Sequence, residues 1–313
     1  MRALLVGSYG KANLGDEALR AYFLTTFPDV QWCVTTAQPK SDRDVPHLPC
    51  GIRSFFCPWW KTLQALYQAD VVVFGGGSLF TDTESFYACI LWWWHALIFW
   101  LFRKRVVLAF QGIGPFKNRV GEWCTRWAVR RAALLTVRDT ASYARVQSWG
   151  LNTKVVLSFD PIFSFIKKQN LDISTKNILI IIPRMNSSAS FQDRARNLAQ
   201  ERPWQEVRIL SLQPDAEAEQ AVCRELASAC GGATIVPVRT LDTLCQEVAV
   251  SALVLTQRYH GALAALALQK EWQTIPQAKG DKLAELLRED KHVLEERVIA
   301  GESALRSILM NDV

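Results

Sequence analysis

Residues 1–18 read MRALLVGSYGKANLGDEA. A short apolar run, Ala3–Val6, meets glycine at 7 and 10 and then a helix start, Asn13-Leu14-Gly15-Asp16-Glu17. A strand that turns on glycine into a helix is one half of a β-α-β unit. The same pattern returns along the chain. Val71–Phe74 runs into Gly75-Gly76-Gly77-Ser78, and Val106–Phe110 into Gln111-Gly112-Ile113-Gly114-Pro115. Leu134–Val137 runs into Arg138-Asp139, and Val155–Ser158 into Asp160-Pro161. A second series has Asn177–Ile182 before Pro183-Arg184, Val207–Ser211, Thr234–Pro237, and Leu253–Thr256 before Gln257-Arg258-Tyr259-His260-Gly261. These runs are short, branched and non-alternating, as in strands covered on both faces. The expected fold is α/β, with two Rossmann-like doubly wound domains facing a cleft. The polar stretch from Lys167 to Lys176 separates the two series, giving domains over 1–165 and 175–313.

Composition supports a folded chain. Half of the 313 residues are hydrophobic and 21% are charged, which excludes a disordered or fibrous protein. The formal charge is +6, but Leu101–Gly150 holds ten Lys and Arg against only Glu122 and Asp139. That is a local basic surface, not a nucleic-acid-coating protein, and no nucleic-acid partner is expected. The eight cysteines form no C-x-x-C and no zinc spacing. They read as reduced, mostly buried thiols of a cytoplasmic protein, with no metal site. The amino terminus reads as a first strand, not as a signal peptide. Phe86–Phe102 only touches the lower limit of a membrane span and contains His95, so it reads as a buried or interfacial helix.

The strand ends carry the candidate chemistry. From Gly7 the glycine spacing is G-x-x-G-x-x-x-x-G, neither the dinucleotide pattern nor a P-loop. Glycine lets the backbone approach a ligand, and a helix start attracts anions. Tyr9, Asn13, Gly15 and Asp16 in this turn are candidates, as are Gly76, Gly77 and Ser78 after the second strand and Gln111 and Gly112 after the third. Asp16 and Asp139 also suit helix capping. Arg138, Arg184 and Arg258 each close a strand, where a forked cation can hold a carboxylate or phosphate. His260 follows Arg258 at a helix start and can exchange a proton near neutral pH.

Taken in order, Asn13-Leu14-Gly15-Asp16-Glu17, Gly75-Gly76-Gly77, Gln111-Gly112-Ile113-Gly114-Pro115, Arg138-Asp139, Asp160-Pro161 and Arg258-Tyr259-His260-Gly261 resemble the polysaccharide pyruvyl transferase family over nearly the whole chain. The likeness is to the bacterial enzymes that pyruvylate cell-wall-anchoring polymers. It implies a GT-B-like fold and a cytoplasmic transferase, active in cell-wall polysaccharide or exopolysaccharide biosynthesis. Such an enzyme moves a pyruvyl group from phosphoenolpyruvate onto a sugar or lipid-linked glycan, as a cyclic ketal, without a cofactor. The resemblance puts Arg138, Arg258 and His260 in donor handling; by its own chemistry Asp16 is a candidate base or binder of a sugar hydroxyl. Lys282, in Lys279-Gly280-Asp281-Lys282, resembles a further donor lysine, although the sequence around Trp272–Lys279 departs from the family pattern. Two rival readings stay open: a GT-B-type nucleotide-sugar glycosyltransferase, and a non-catalytic glycan- or anion-binding module.

Ten of the 12 Trp lie in the first 150 residues. On a helix from Asn118, Arg119, Arg126 and Arg130 share one face beside Trp123 and Trp127. Tryptophan beside arginine suits a membrane interface. The sequence therefore carries an expectation of peripheral contact with the inner face of the plasma membrane, against the alternative that these Trp are ordinary core.

Overall fold

The computed structural model describes residues 1–11, 13–49, 56, 58–83, 85–169, 171, 173–275, 283, 286 and 290–310. They divide into two compact units, 1–161 with 294–313, and 162–293.

In the first unit seven parallel strands form one sheet: β1 (Arg2–Val6), β2 (Gln31–Thr36), β3 (Asp44–Pro46), β4 (Val71–Phe80), β5 (Arg105–Ile113), β6 (Leu134–Val137) and β7 (Val155–Leu157). Their order is β3-β2-β1-β4-β5-β6-β7. Helices α1 (Leu14–Thr26), α2 (Trp60–Gln68), α3 (Phe86–Leu101), α4 (Arg119–Arg131) and α5 (Thr140–Ser148) run between strands. The strand order changes sense between β1 and β4, so the loops at their carboxyl ends diverge and leave room for a ligand. The apolar runs predicted as strands do form strands, because Leu4, Val72, Leu108 and Leu135 are all fully buried.

In the second unit, β8 (Ile178–Ile182), β9 (Glu206–Ser211), β10 (Thr234–Pro237), β11 (Leu253–Thr256) and β12 (Glu271–Gln273) form a parallel sheet in the order β10-β9-β8-β11-β12. Its order changes sense between β8 and β11. Helices α6 (Ile162–Lys167), α7 (Ala189–Glu201), α8 (Glu217–Ala229), α9 (Leu241–Ala249) and α10 (Tyr259–Ala267) belong to this unit. Ile180, Phe191, Val254 and Leu263 are fully buried in it.

Several expectations need correction. The triple glycine is not a loop: β4 continues through it to Phe80, shifting register between Gly77 and Phe80. β5 likewise continues to Ile113, across a bulge at which Phe110 has φ +52°. The Phe110 N–H donates to Thr136 Oγ1 at 2.6 Å, so the bulge keeps its hydrogen bond. β2 and β3, not predicted as strands, extend the sheet beyond β1, with β2 pairing β1 and β3 pairing β2. The second domain does not run to the carboxyl terminus. Helix α11 (Lys291–Leu309) belongs to the first unit from Leu294 onward. It buries Val298 and Leu305, and Gly301 lies so close to Ser158 that a Cβ there would stand 2.2 Å from its Oγ. Cys89, Cys124, Cys223, Cys230 and Cys245 are buried free thiols and Cys33 is half-buried; Cys50 and Cys57 lie outside the described residues. Among the described residues no helix is long and apolar enough to cross a membrane.

Candidate active site

In the first unit the β1/β4 reversal is built around Tyr9. Its hydroxyl donates to the Gly75 carbonyl at 2.8 Å, and the residue is 1% exposed. A Cβ on Gly7 would stand 2.5 Å from the Tyr9 ring, and one on Gly75 2.2 Å from its hydroxyl. Those two glycines therefore make room for Tyr9, and Tyr9 fastens the first loop to β4. Burial, with the nearby charges of Asp16 and Glu17, raises its pKa well above the ordinary value, so the phenol stays a neutral donor. Glu17 also serves the loop, accepting from the Gly10 N–H at 2.6 Å.

Beyond this frame the site opens. Gly76 and Gly77 hold φ of +82° and +85°, a left-handed backbone that favours glycine. The position of a Cβ on Gly77 lies 3.6 Å from Asp16 Oδ1, so the half-buried Asp16 carboxylate stands over this stretch of backbone. Asn13 Oδ1 is used as the cap of α1, accepting from Gly15 at 3.0 Å and Asp16 at 3.5 Å. Arg138 donates to Asp160 Oδ2 at 2.9 Å and to Ser78 Oγ at 2.8 Å. The arginine is 9% exposed and the aspartate is fully buried. This chain joins the carboxyl ends of β4, β6 and β7, so Arg138 helps to frame that end of the sheet. Gln111 is likewise internal: its amide donates to the carbonyls of Phe74 (3.0 Å) and Ala109 (3.1 Å), and Gly112 beside it is buried. Asp139 does cap α5, accepting from the Ser142 N–H at 2.6 Å.

In the second unit the reversal gathers cations. Arg258 ends the connection from β11 and is the N-cap residue of α10, with no side chain capping that helix. Its Nε donates to the Pro183 carbonyl at 3.2 Å and Nη2 to Gln213 Oε1 at 3.1 Å, and its guanidinium pairs with Glu219. Glu219 is fully buried and accepts from Ser211 Oγ at 3.0 Å and the Gln213 N–H at 2.7 Å. Burial, and then the charge of neighbouring Arg184, lower the Arg258 pKa to about 10, so it stays protonated at neutral pH. Arg184 follows β8 and is half-buried, and its guanidinium has no hydrogen-bond partner among the described residues. Two cations and an uncapped helix start thus share the carboxyl ends of β8 and β11, an arrangement receptive to a phosphate or carboxylate. His260 occupies the second position of α10, half-buried and edge-on to Tyr259 at 5.4 Å. Gly261 is dictated by packing: a Cβ would stand 2.7 Å from Thr256 Oγ1 and 2.8 Å from Ile182 Cδ1. Small size here seats α10 on β8 and β11.

The structure therefore gathers Asp16, Gly76, Gly77 and Ser78 in one unit, and Arg184, Arg258 and His260 in the other. Lys282 lies outside the described residues. Asp160 and Glu17 stand in motifs the sequence offered, whereas Glu219 was not among its candidates. Glu219 is one acid among several in Asp215–Gln220, and nothing local distinguishes it. Among the described residues no group of three or more His, Cys, Asp or Glu is placed to hold a metal.

The model of the polysaccharide pyruvyl transferase family matches residues 13–272. No curated protein matches the chain. Among solved structures it is similar to the UDP-GlcNAc 2-epimerase of Neisseria meningitidis bound to UDP-GlcNAc, with a TM-score of 0.58 and 12% identity over 99% of this chain and 100% of that one. It is also similar to the Anabaena protein HepE in complex with UDP-glucose (TM-score 0.56, 14% identity, 99% and 96% covered). A glycosyltransferase from Rickettsia africae gives a TM-score of 0.56 at 9% identity, with 99% of each chain covered. At these identities the likeness is one of fold: two Rossmann-like units of the GT-B class.

Proposed function

The chain belongs to the polysaccharide pyruvyl transferase family, and on that premise we propose that it transfers the pyruvyl group of phosphoenolpyruvate onto two hydroxyls of one sugar in a cell-envelope glycan. The observation that carries the reading is the cation pair Arg184 and Arg258 at the uncapped start of α10. Phosphoenolpyruvate bears a phosphate and a carboxylate, and forked arginines suit both.

The chemistry balances without a redox partner. Protonation of the donor's methylene carbon leaves an oxocarbenium-like centre, and one sugar hydroxyl adds to it. The carbon–oxygen bond to phosphate then breaks, and the second hydroxyl closes the cyclic ketal. Of the two hydroxyl protons, one is accounted for by the new methyl group and the other leaves with phosphate. His260 is the proton donor in this reading, and the arginines neutralise the departing phosphate. Asp16, over the Gly76-Gly77 backbone, is the group for the sugar hydroxyls. The protein works in the cytoplasm on a sugar or lipid-linked glycan.

A nucleotide-sugar donor would call for a carboxylate on its ribose. Glu219, which meets Arg258, is fully buried and already paired, which favours a donor without ribose. The test incubates the protein with phosphoenolpyruvate and envelope glycans and follows phosphate release. His260→Ala should lower kcat by about 10²–10⁴-fold. Arg184→Ala should raise KM for phosphoenolpyruvate by about 10–100-fold. Turnover of a nucleotide sugar, with none of phosphoenolpyruvate, would refute the reading.

A further inference from the structure

The sheet of the first unit has a second chemically distinct end. At the amino ends of β5, β6 and β7, opposite the glycine-rich loops, the connections carry Arg105, Arg130, Arg131 and Lys154, all exposed. A pocket of about 500 Å³ lies there, with Arg126, Arg130, Lys154 and Trp149 in its wall. Acids are scarce at this end. Asp70 accepts from the Arg2 N–H at 2.8 Å, and Glu122 accepts from Trp149 Nε1 at 3.0 Å.

Beside the pocket, α3 and α4 pack along a seam of tryptophans. Trp93 meets Trp123 at 6.0 Å and Trp127 at 6.1 Å, and Trp100 meets Trp127 at 5.7 Å. Arg131 lies over the rings of Trp127 (4.0 Å) and Trp100 (5.1 Å). The seam is not closed over. Trp123 is 57% exposed and Trp100 45%, and Leu101 and Phe102 are exposed at the end of α3 next to Trp100. The buried side of α4 is Gly121, Cys124, Thr125, Ala128 and Val129, so Arg119, Trp123, Arg126 and Arg130 point outward together.

We propose that this end of the first unit docks on the surface of an anionic phospholipid bilayer, with the pocket taking a lipid phosphate and the Trp100–Phe102 helix end entering the headgroup region. The charge decides the occupant. A nucleic acid would use the cations but has no place for Trp100, Leu101 and Phe102. A protein partner's core would have to desolvate the arginines. A bilayer interface accommodates both, because tryptophan sits at headgroup depth and basic side chains meet the lipid phosphates. The proposal is independent of the transfer reaction, since docking is measured without substrates.

The experiment is sedimentation of the full chain with phosphatidylglycerol-containing vesicles and with phosphatidylcholine vesicles, at low and high salt, with Trp emission recorded. The expected result is low-salt binding to the anionic vesicles alone, with a blue shift in emission. Each basic residue near the surface contributes about fivefold. Arg105→Gln/Arg130→Gln/Lys154→Gln should therefore weaken binding by about a hundredfold, while Trp100→Ala/Trp123→Ala should lose the blue shift. All the substituted side chains are exposed, and an unchanged melting profile confirms that each variant folds. Three results would overturn the proposal: no sedimentation with anionic vesicles at low salt, unaltered binding by the triple charge variant, or a wild-type dimer that the double Trp variant splits, which would assign the face to a second copy of the chain.

Discussion

Asp160→Ala tests how the first unit holds its ligand-facing loops. The substitution removes the fully buried carboxylate that meets Arg138 Nη1 at 2.9 Å, while the arginine stays 9% exposed. Removing one member of a buried ion pair costs about 3–5 kcal/mol, because this contact no longer offsets the desolvation of the other. With a urea dependence of about 2 kcal/mol per molar, the unfolding midpoint falls by about 2 M. Ten of the 12 Trp lie within residues 1–161, so Trp fluorescence reports chiefly on this unit. Arg138→Met/Asp160→Leu removes both charges and should regain most of the loss, since an apolar pair of similar volume is often neutral or stabilising. A midpoint shift under about 0.5 M for Asp160→Ala, or a double variant as unstable as the two single losses added, would refute the framing role of Arg138.

Two further outcomes follow from close packing and from proton linkage. Gly261→Ala should destabilise the second unit by about 1–3 kcal/mol by calorimetry, because the new methyl meets Thr256 and Ile182; an unchanged transition would mean that α10 is not seated as described. Burial lowers the His95 pKa from 6.5 to about 4, with its Nδ1 donating to the Leu91 carbonyl at 2.8 Å. The unfolded chain then binds the proton first, so stability is present above pH 6.5 and falls as pH drops toward 4, by about 3 kcal/mol in all. His95→Phe should reduce that dependence in urea midpoints taken by Trp fluorescence, leaving the part due to neighbouring His47, whose pKa burial lowers to about 3; an identical slope in both proteins would exclude His95 as a source.

Much of the fold was legible because a parallel strand covered on both faces must be apolar throughout. Ala3–Val6, Val106–Phe110 and Leu253–Thr256 could be read with no knowledge of their neighbours. β2 and β3 could not, since Gln31–Thr36 holds only the three-residue apolar run Trp32–Val34 before two threonines and three-residue β3 ends in proline. Helix α11 was missed for a related reason. Its apolar positions find their partner in the first unit, near Phe110 and Ser158, over a hundred residues earlier. The candidate site followed the same division. Strand-end arginines and the histidine after β11 were visible as residue types. That Tyr9 and Gln111 are internal was not, because their partners are the backbone carbonyls of Gly75, Phe74 and Ala109.

Local chemistry thus determined the element sequence, the two-sheet α/β class and the loops that carry polar groups, because strand burial, glycine conformation and helix capping act over a few residues. The contacts within those loops were decided by tertiary structure alone. Arg138 and Arg258 look alike in the sequence, each an arginine closing a strand. Arg138 is enclosed by Asp160 and Ser78, whereas Arg258, anchored by Glu219, stands beside Arg184 at an open helix start. An arginine's function depends on which charge reaches it, and that partner is supplied by folding, from positions as distant as Glu219.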